Sequence, residues 1–282
     1  MWFRKISLIL CFAFLPFAAG AQTLTHMKIN DEKEQILLDV LKLAVSKMDP
    51  SITFESITDD MTSVRLVEEL KAGKLDVFWA GVIPEYEDTL MPIHIPVLKG
   101  MLGHRIFIIE QGKQPLFDNI NNLQDLKQLK AGQGLTWGDT QALLGAGIPT
   151  VTTMHYHNLF RMLEGDRFDY FPRAIHEPWS EVKARPELNL TIEKRILLIY
   201  PFAMYFFVAQ DNQKLHDLIY QGMEKAIADG SYDKLFFGSP LVKDALGKSN
   251  LKDRVIIRIP NPVMGPKTPF DRKEFWLDIE NL

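Results

Sequence analysis

The chain has 282 residues, 46% of them hydrophobic and 11% aromatic, and its 32 Lys and Arg against 36 Asp and Glu give a formal net charge of −4. This apolar content is enough for one large or two medium globular units. The mild acidity, without a basic cluster interleaved with aromatics, argues against a nucleic-acid partner. The single cysteine, Cys11, lies near the N-terminus, which excludes disulfides, thiol catalysis and a cysteine-ligated metal from the rest of the chain.

The first 21 residues have the layout of a secretory signal peptide. Two basic residues precede an apolar run over residues 6–17, and Ala19-Gly20-Ala21 matches the small-residue pattern of a cleavage site. The run is too short to span a bilayer comfortably, so a retained anchor is the minor alternative. We therefore predict cleavage after Ala21, a periplasmic location, and no stable membrane insertion afterwards.

Helices and strands alternate in the first part of the predicted mature chain. Apolar residues at three- and four-residue spacing predict a helix over residues 31–47, and alternating residues predict a strand over 52–57. A second helix is predicted over 63–72 and ends at Gly73. The continuous apolar run 75–80 is typical of a strand buried on both faces. This order is typical of a doubly wound α/β lobe.

A second module with the same alternation follows. Its predicted elements are a strand over 105–110, helices over 122–130 and from Trp137 to about Gly145, a strand over 151–153, a helix over 156–163 and a strand over 168–171. Pro172 is expected to lead the backbone out of the sheet. Strands 105–110 and 200–209 bracket the module and are expected to be the crossings between two lobes.

A long amphipathic helix over 214–228, ended by Gly230, and a proline-rich tail complete the chain. The tail contains one predicted strand, 255–259, and is expected to wrap over the first lobe. We therefore predict lobe 1 from residues 22–109 and 205–282, with a C-terminal extension from about residue 238, and lobe 2 from residues 110–204.

Four segments, taken in order, resemble the extracellular solute-binding proteins of the polar amino-acid type (family 3). They are LVEELKAGKLDVFWAGVIPEYEDTLMPIHIPV, FDNINNLQDLKQLKAGQG, LFRMLEGDRFDYF and LHDLIYQGMEKAIADGSYDKLFF. The last is the most similar, to that family's C-terminal helix and its D-G-T-Y-x-K-I motif. The RFDYFPR motif and a tryptophan-glycine loop resemble most closely an exported subgroup without an assigned ligand.

The resemblance implies the two-lobed periplasmic-binding-protein type II fold, in which two α/β lobes on a two-crossing hinge close on a small molecule. It also implies a monomer, and delivery of the ligand to an ABC-type permease or a sensor protein. The chain departs from the family at two positions. The family's Glu-Arg dipeptide is replaced by Glu85-Tyr86, and Ala174 stands where the family has an ammonium-binding aspartate. These departures argue against a standard amino-acid ligand.

Two arginines are the main candidates for ligand contact. Arg173 follows the predicted last strand of lobe 2, where its guanidinium can bind an anionic group. The alternative for Arg173 is a salt bridge to Asp169, Glu177 or Glu181. Arg105 begins the first crossing among apolar neighbours, so its charge needs either an internal partner or the cleft.

The remaining candidates lie at loops and helix starts. Asp139 or Thr140 is expected to cap the helix that follows Trp137; a ligand-binding role for Asp139 is the alternative. Flat walls for a ligand are predicted from Trp79, Tyr86 and Trp137, with Trp179 a weaker candidate. Glu177 completes the set of predicted ligand-binding residues. These residues predict capture of a small anionic or aromatic-containing ligand.

Metal binding and catalysis have weak signals in this sequence. His155, His157 and His176 lack metal-ligand spacing, so we predict neither a metal site nor a cofactor. No phosphate loop, HExxH or Gly-x-Ser-x-Gly motif occurs. A non-enzymatic binding protein is the favoured prediction. A dehydratase-like enzyme on the same fold and a ligand-free interaction module are the alternatives, because a fold does not settle a function.

Overall fold

The structure, a computed structural model, describes residues 22–279. The predicted signal peptide lies outside these residues. Within residues 22–279, no helix is long and apolar enough to cross a membrane.

The described chain alternates short strands and helices. The strands are β1 (Thr23–His26), β2 (Thr53–Ser56), β3 (Phe78–Gly81), β4 (Met91–Ile93), β5 (His104–Glu110), β6 (Ala131–Gly134), β7 (Thr150–Thr153), β8 (Phe171–Ala174), β9 (Leu190–Ile192), β10 (Ile196–Ile199), β11 (Met204–Val208) and β12 (Val255–Arg258). The helices are α1 (Glu32–Ser46), α2 (Ser63–Lys71), α3 (Pro84–Thr89), α4 (Leu123–Leu126), α5 (Gly138–Gly145), α6 (Tyr156–Glu164), α7 (Pro178–Lys183), α8 (Gln213–Ala228), α9 (Ser231–Gly238) and α10 (Pro240–Ser249).

The strands form two groups, one in each lobe. In lobe 1, β1 and β2 pair in parallel, and β11 lies between β3 and β4 as an antiparallel centre strand. In lobe 2, the order β12-β10-β5-β8 forms the main sheet, with β9 also on β5, and β6 and β7 pair in parallel beside it. The chain passes between the groups from β4 to β5 and again from β10 to β11. The residue-level lobe boundaries stay a prediction.

Helix α1 shows how the sequence builds lobe 1. The Asp31 carboxylate caps it by accepting from the backbone amides of Lys33 and Glu34. Its apolar stripe is buried against α8. Where α1 and α8 approach each other most closely, a Cβ added to Gly222 would lie 2.0 Å from the carbonyl oxygen of Ala44, so this helix contact needs glycine. The predicted helices over 31–47, 63–72, 156–163 and 214–228 and the strand over 105–110 are confirmed.

The predicted end of the last lobe 2 strand is wrong. Pro172 does not lead the chain out of the sheet but lies inside β8, opposite Phe107 of β5. The carbonyl of Phe107 accepts from the amide of Glu193 on the other side of β5, at 2.8 Å. The pair of Phe107 and Pro172 is therefore a non-hydrogen-bonded one, and the missing N–H of Pro172 costs no bond to β5.

Three other predictions need correction. The strand predicted over 200–209 begins only at Met204, as β11 of the lobe 1 sheet, because residues 200–203 form the crossing that follows β10 of the lobe 2 sheet. The helix predicted over 122–130 is shorter than expected, since α4 covers only Leu123–Leu126 and strand β6 follows from Ala131. The tail does not wrap over lobe 1 alone, since β12 pairs with β10 in lobe 2.

The tail also holds both crossings between the lobes. The Asn261 side-chain amide donates to the carbonyl of Pro201 in the second crossing, at 2.9 Å. The amide of Leu277 donates to the carbonyl of Lys99 in the first crossing, at 2.7 Å. The ring of Trp276 lies against Gly100, where an added Cβ would be 2.4 Å from it. The tail therefore limits how far the crossings can move apart.

Candidate functional site

A buried ion-pair network lies where β8 leads into α7. Arg173 is 6% exposed, and its guanidinium donates from Nε and Nη2 to the two carboxylate oxygens of Glu181, at 2.8 and 2.7 Å. Nη2 also donates to Glu177 at 2.6 Å. Since Glu177 and Glu181 follow Arg173 by four and eight residues, the first turns of α7 bring both carboxylates back onto it. This planar two-point pairing is among the strongest ionic contacts in proteins.

Arg105 forms the second part of the network and is 1% exposed. Its guanidinium pairs with the Asp139 carboxylate, and Nη1 lies 3.5 Å from Glu177. The Tyr200 hydroxyl donates to the same Asp139 carboxylate. The guanidinium carbon of Arg105 lies 5.5 Å from the Tyr200 ring centre and 5.8 Å from that of Phe202. Both predicted ligand-binding arginines are therefore paired within the protein.

The pKa values follow from this pairing. Burial alone would raise the pKa of Glu181. The Arg173 guanidinium outweighs this effect and lowers the pKa to about 2. Burial and Arg173 act on Glu177 in the same opposing way, and its pKa is lowered. Burial lowers the pKa of His176 to about 4, so its imidazole is neutral at physiological pH. The carboxylates of Glu177 and Glu181 are therefore ionised throughout the physiological range.

The network reaches from lobe 2 to lobe 1 through Lys33. The Lys33 ammonium, in the first turn of α1, lies 3.3 Å from Glu181. The Tyr156 hydroxyl of α6 donates to the same carboxylate at 2.7 Å. Three cations, from one lysine and two arginines, thus face three carboxylates, and the network as a whole is neutral.

An open cleft of about 490 Å³ lies beside the network, between the lobes. The start of α1 and the first turns of α10 form its lobe 1 side. Its lobe 2 side is formed by Tyr156, by His176 and Trp179, and by the end of α7 as far as Arg185. His176 is 5% exposed, and its Nδ1 has no hydrogen-bond partner within the described residues. The cleft therefore combines an aromatic wall with charges of both signs.

The other predicted site residues are placed differently. Trp79 is buried in the lobe 1 core against Phe206. Tyr86 in α3 packs edge-on to the aromatic core, and burial raises its pKa. Trp137 stacks on Phe171, with the Arg173 guanidinium 5.3 Å from its ring centre.

The predicted capping role at the start of α5 is wrong. The helix begins at Gly138, so Asp139 lies inside the first turn, and its carboxylate is used by Arg105 and Tyr200. The Thr140 hydroxyl donates to the carbonyl of Gly134 at 2.6 Å. Neither side chain caps the helix, because the cap position is Trp137 and both side chains have other partners.

Sequence reasoning missed the lobe 1 side of the cleft. Lys33 follows a helix cap and looks like a solvent-facing residue, and nothing in the tail sequence indicated that α10 lies near α7. Pro240 and Gly247 look like helix breakers, yet proline is tolerated at the first position of a helix. Within residues 22–279, no group of three or more His, Cys, Asp and Glu side chains is arranged to hold a metal ion.

No protein-family model and no curated protein matches this chain. Among solved structures, it is similar to an ancestral arginine-binding protein bound to arginine, at 20% identity and a TM-score of 0.51, over 78% of this chain and 97% of that chain. It is also similar to the amino acid ABC transporter substrate-binding protein AbpA from Streptococcus pneumoniae bound to L-arginine, at 15% identity and a TM-score of 0.53, over 79% and 96%.

A third similar structure is that of the ancestral amino acid-binding protein AncCDT-1, a precursor of cyclohexadienyl dehydratase, at 16% identity and a TM-score of 0.52, over 77% and 94%. These likenesses establish the fold, the two-lobed periplasmic-binding-protein type II fold, and confirm the predicted fold class. The resemblance to the subgroup with the RFDYFPR motif stays a prediction.

Proposed function

We propose that the protein is an exported solute-binding protein and that its solute occupies the cleft between α1 and α10 of lobe 1 and α6 and α7 of lobe 2. The observation that carries this proposal is the cleft itself, whose volume of about 490 Å³ lies in the range of small-molecule sites. The likeness in fold to proteins that bind arginine supports it. The predicted signal peptide is consistent with binding in the periplasm.

The pairing of the arginines modifies the predicted ligand. An anion could bind to Arg105 or Arg173 only by displacing a carboxylate from a buried guanidinium, which is costly. Lys33 and Arg185 offer positive charge at the cleft, and Asp31 offers negative charge. We therefore propose a small solute that carries both charge signs, or a polar group beside a flat ring that stacks on Trp179.

We propose that the captured solute is passed to an ABC-type permease, with a sensor protein as the alternative partner. The support is the solved neighbour from S. pneumoniae, which is described as an amino acid ABC transporter substrate-binding protein. A monomer is sufficient for this role, since both sides of the cleft come from one chain.

An enzyme on the same fold is the second candidate. The neutral imidazole of His176 lines the cleft, and a neutral imidazole is able to accept a proton. One solved neighbour is a precursor of a dehydratase. Turnover of a solute by substoichiometric protein, lost in His176→Gln, would establish this alternative in place of simple binding.

The test is a thermal-shift screen with amino acids, carboxylates, amines and short peptides. A solute that binds only the folded state raises its stability by about 2.7 kcal/mol at 100 times Kd. Two tryptophans make a matched pair of variants, because each indole N–H donates to a backbone carbonyl, at 3.0 Å for Trp179 and 2.9 Å for Trp276. Only Trp179 lines the cleft.

We expect Trp179→Ala to lose most of the shift and Trp276→Ala to keep it. A shift of equal size in both variants would place the solute elsewhere. A screen in which no compound shifts the parent protein would remove the support for solute binding.

A further inference from the structure

The inner part of the lobe interface is filled by the second crossing. A Cβ added to Gly81 of lobe 1 would lie 2.9 Å from Cζ of Phe202, and one added to Gly138 of lobe 2 would lie 3.0 Å from the same atom. The Gly138 position is also 3.0 Å from the carbonyl oxygen of Val82. The two lobes therefore meet around the ring of Phe202, which is not among the residues that line the open cleft.

Arg105 lies behind that ring in surroundings suited to a cation. Two carboxylates, from Asp139 and Glu177, face its guanidinium, and the rings of Tyr200 and Phe202 flank it. Carboxylates with aromatic faces are the groups that recognise an alkylguanidinium or an alkylammonium. The Nε of Arg105 has no hydrogen-bond partner within the described residues, so these surroundings do not satisfy the Arg105 guanidinium completely.

We propose that this is a binding site for an alkylguanidinium or alkylammonium group and that Arg105 is its internal ligand. The side chain fills a cation site at the lobe interface and holds Phe202 between the lobes, so the inner interface is closed without any solute. Removing the side chain opens a site for a small organic cation of the same shape. This inference is independent of what binds in the outer cleft.

The test compares the full chain carrying Arg105→Ala with the parent protein. In the variant, ethylguanidinium is expected to raise the melting temperature until the site is saturated, because it restores a cation between Asp139 and Glu177. In the parent it is expected to give no saturable rise. Ethylurea has the same shape without the charge and is expected to give none in either protein.

The size of the charge effect is checked with Arg105→Ala combined with Asp139→Asn, in which the rise should be smaller. A variant that melts cooperatively and gains nothing from ethylguanidinium overturns the proposal. So does a variant that gains as much from ethylurea.

A measurement on the parent protein covers the case in which Arg105→Ala does not fold. In side-chain NMR spectra, the Nε–H of Arg105 is expected to exchange with water about 100-fold more slowly than that of exposed Arg167, because a bound internal ligand is released only by local opening. Exchange at the rate of Arg167 would show that the guanidinium is not held, and would overturn the proposal.

Discussion

Replacing Glu181 by glutamine removes one charge from the buried network and keeps the shape of the side chain. Arg173 lowers the pKa of Glu181 to about 2 from its usual 4.5. This difference corresponds to about 3 kcal/mol of folding free energy at pH 7. Because the folded-state pKa is the lower one, the contribution is complete above pH 4.5 and is lost as the pH falls towards 2. By pH 3, about 2 kcal/mol of it is gone.

Urea denaturation of the parent and Glu181→Gln between pH 7 and pH 3 measures this contribution. At pH 7 we expect the variant to be less stable by about 3 kcal/mol, or roughly 6 to 12 °C in melting temperature. The difference should shrink as the pH is lowered. Glu187→Gln is the control, since Glu187 is exposed, and should behave like the parent. A loss in Glu181→Gln that matches the control, or that does not change with pH, would refute the assigned pairing.

Three further predictions concern packing, pH and the tyrosine of the network. Gly222→Ala should destabilise the protein by about 1 to 3 kcal/mol, because the added Cβ meets the backbone of α1. At Gly247 an added Cβ lies in open space, so Gly247→Ala should stabilise α10. Chemical denaturation measures both effects. Burial depresses the folded-state pKa of His176, so the parent protein loses stability as the pH falls from 6.5 to 4. His176→Gln should therefore reduce the stability loss measured between pH 7.5 and pH 5 by about 2 kcal/mol. Tyr200→Phe should cost about 1 to 3 kcal/mol in thermal unfolding by removing a donor from buried Asp139.

Much of the architecture could be predicted from apolar spacing. Helices α1 and α8 pack on each other, and each has a long apolar stripe that only a helix makes continuous. The two modules could likewise be predicted from the alternation of helical and strand spacing along the chain. The ends of strands were harder to predict. Strand β8 tolerates Pro172 only because Pro172 lies at a non-hydrogen-bonded position opposite Phe107, and this register is set by the neighbouring strand β5.

The site could be predicted only in part, because partners are decided by geometry. The sequence offered Asp169, Glu177 and Glu181 to Arg173. The structure uses the last two, since α7 returns them to the strand end, and Asp169 instead accepts from the amide of Lys130. The partner of Arg105, Asp139, lies in another part of the chain and had been expected to cap a helix.

The central claim, that a solute occupies the cleft beside α7, is tested most directly by native mass spectrometry of the exported protein. The account predicts a noncovalent small-molecule adduct on the parent protein and on Trp276→Ala, released by gentle activation and absent from Trp179→Ala. The same adduct at the same occupancy in Trp179→Ala, or a parent protein that neither carries a solute nor takes one up from the screened library, would contradict it.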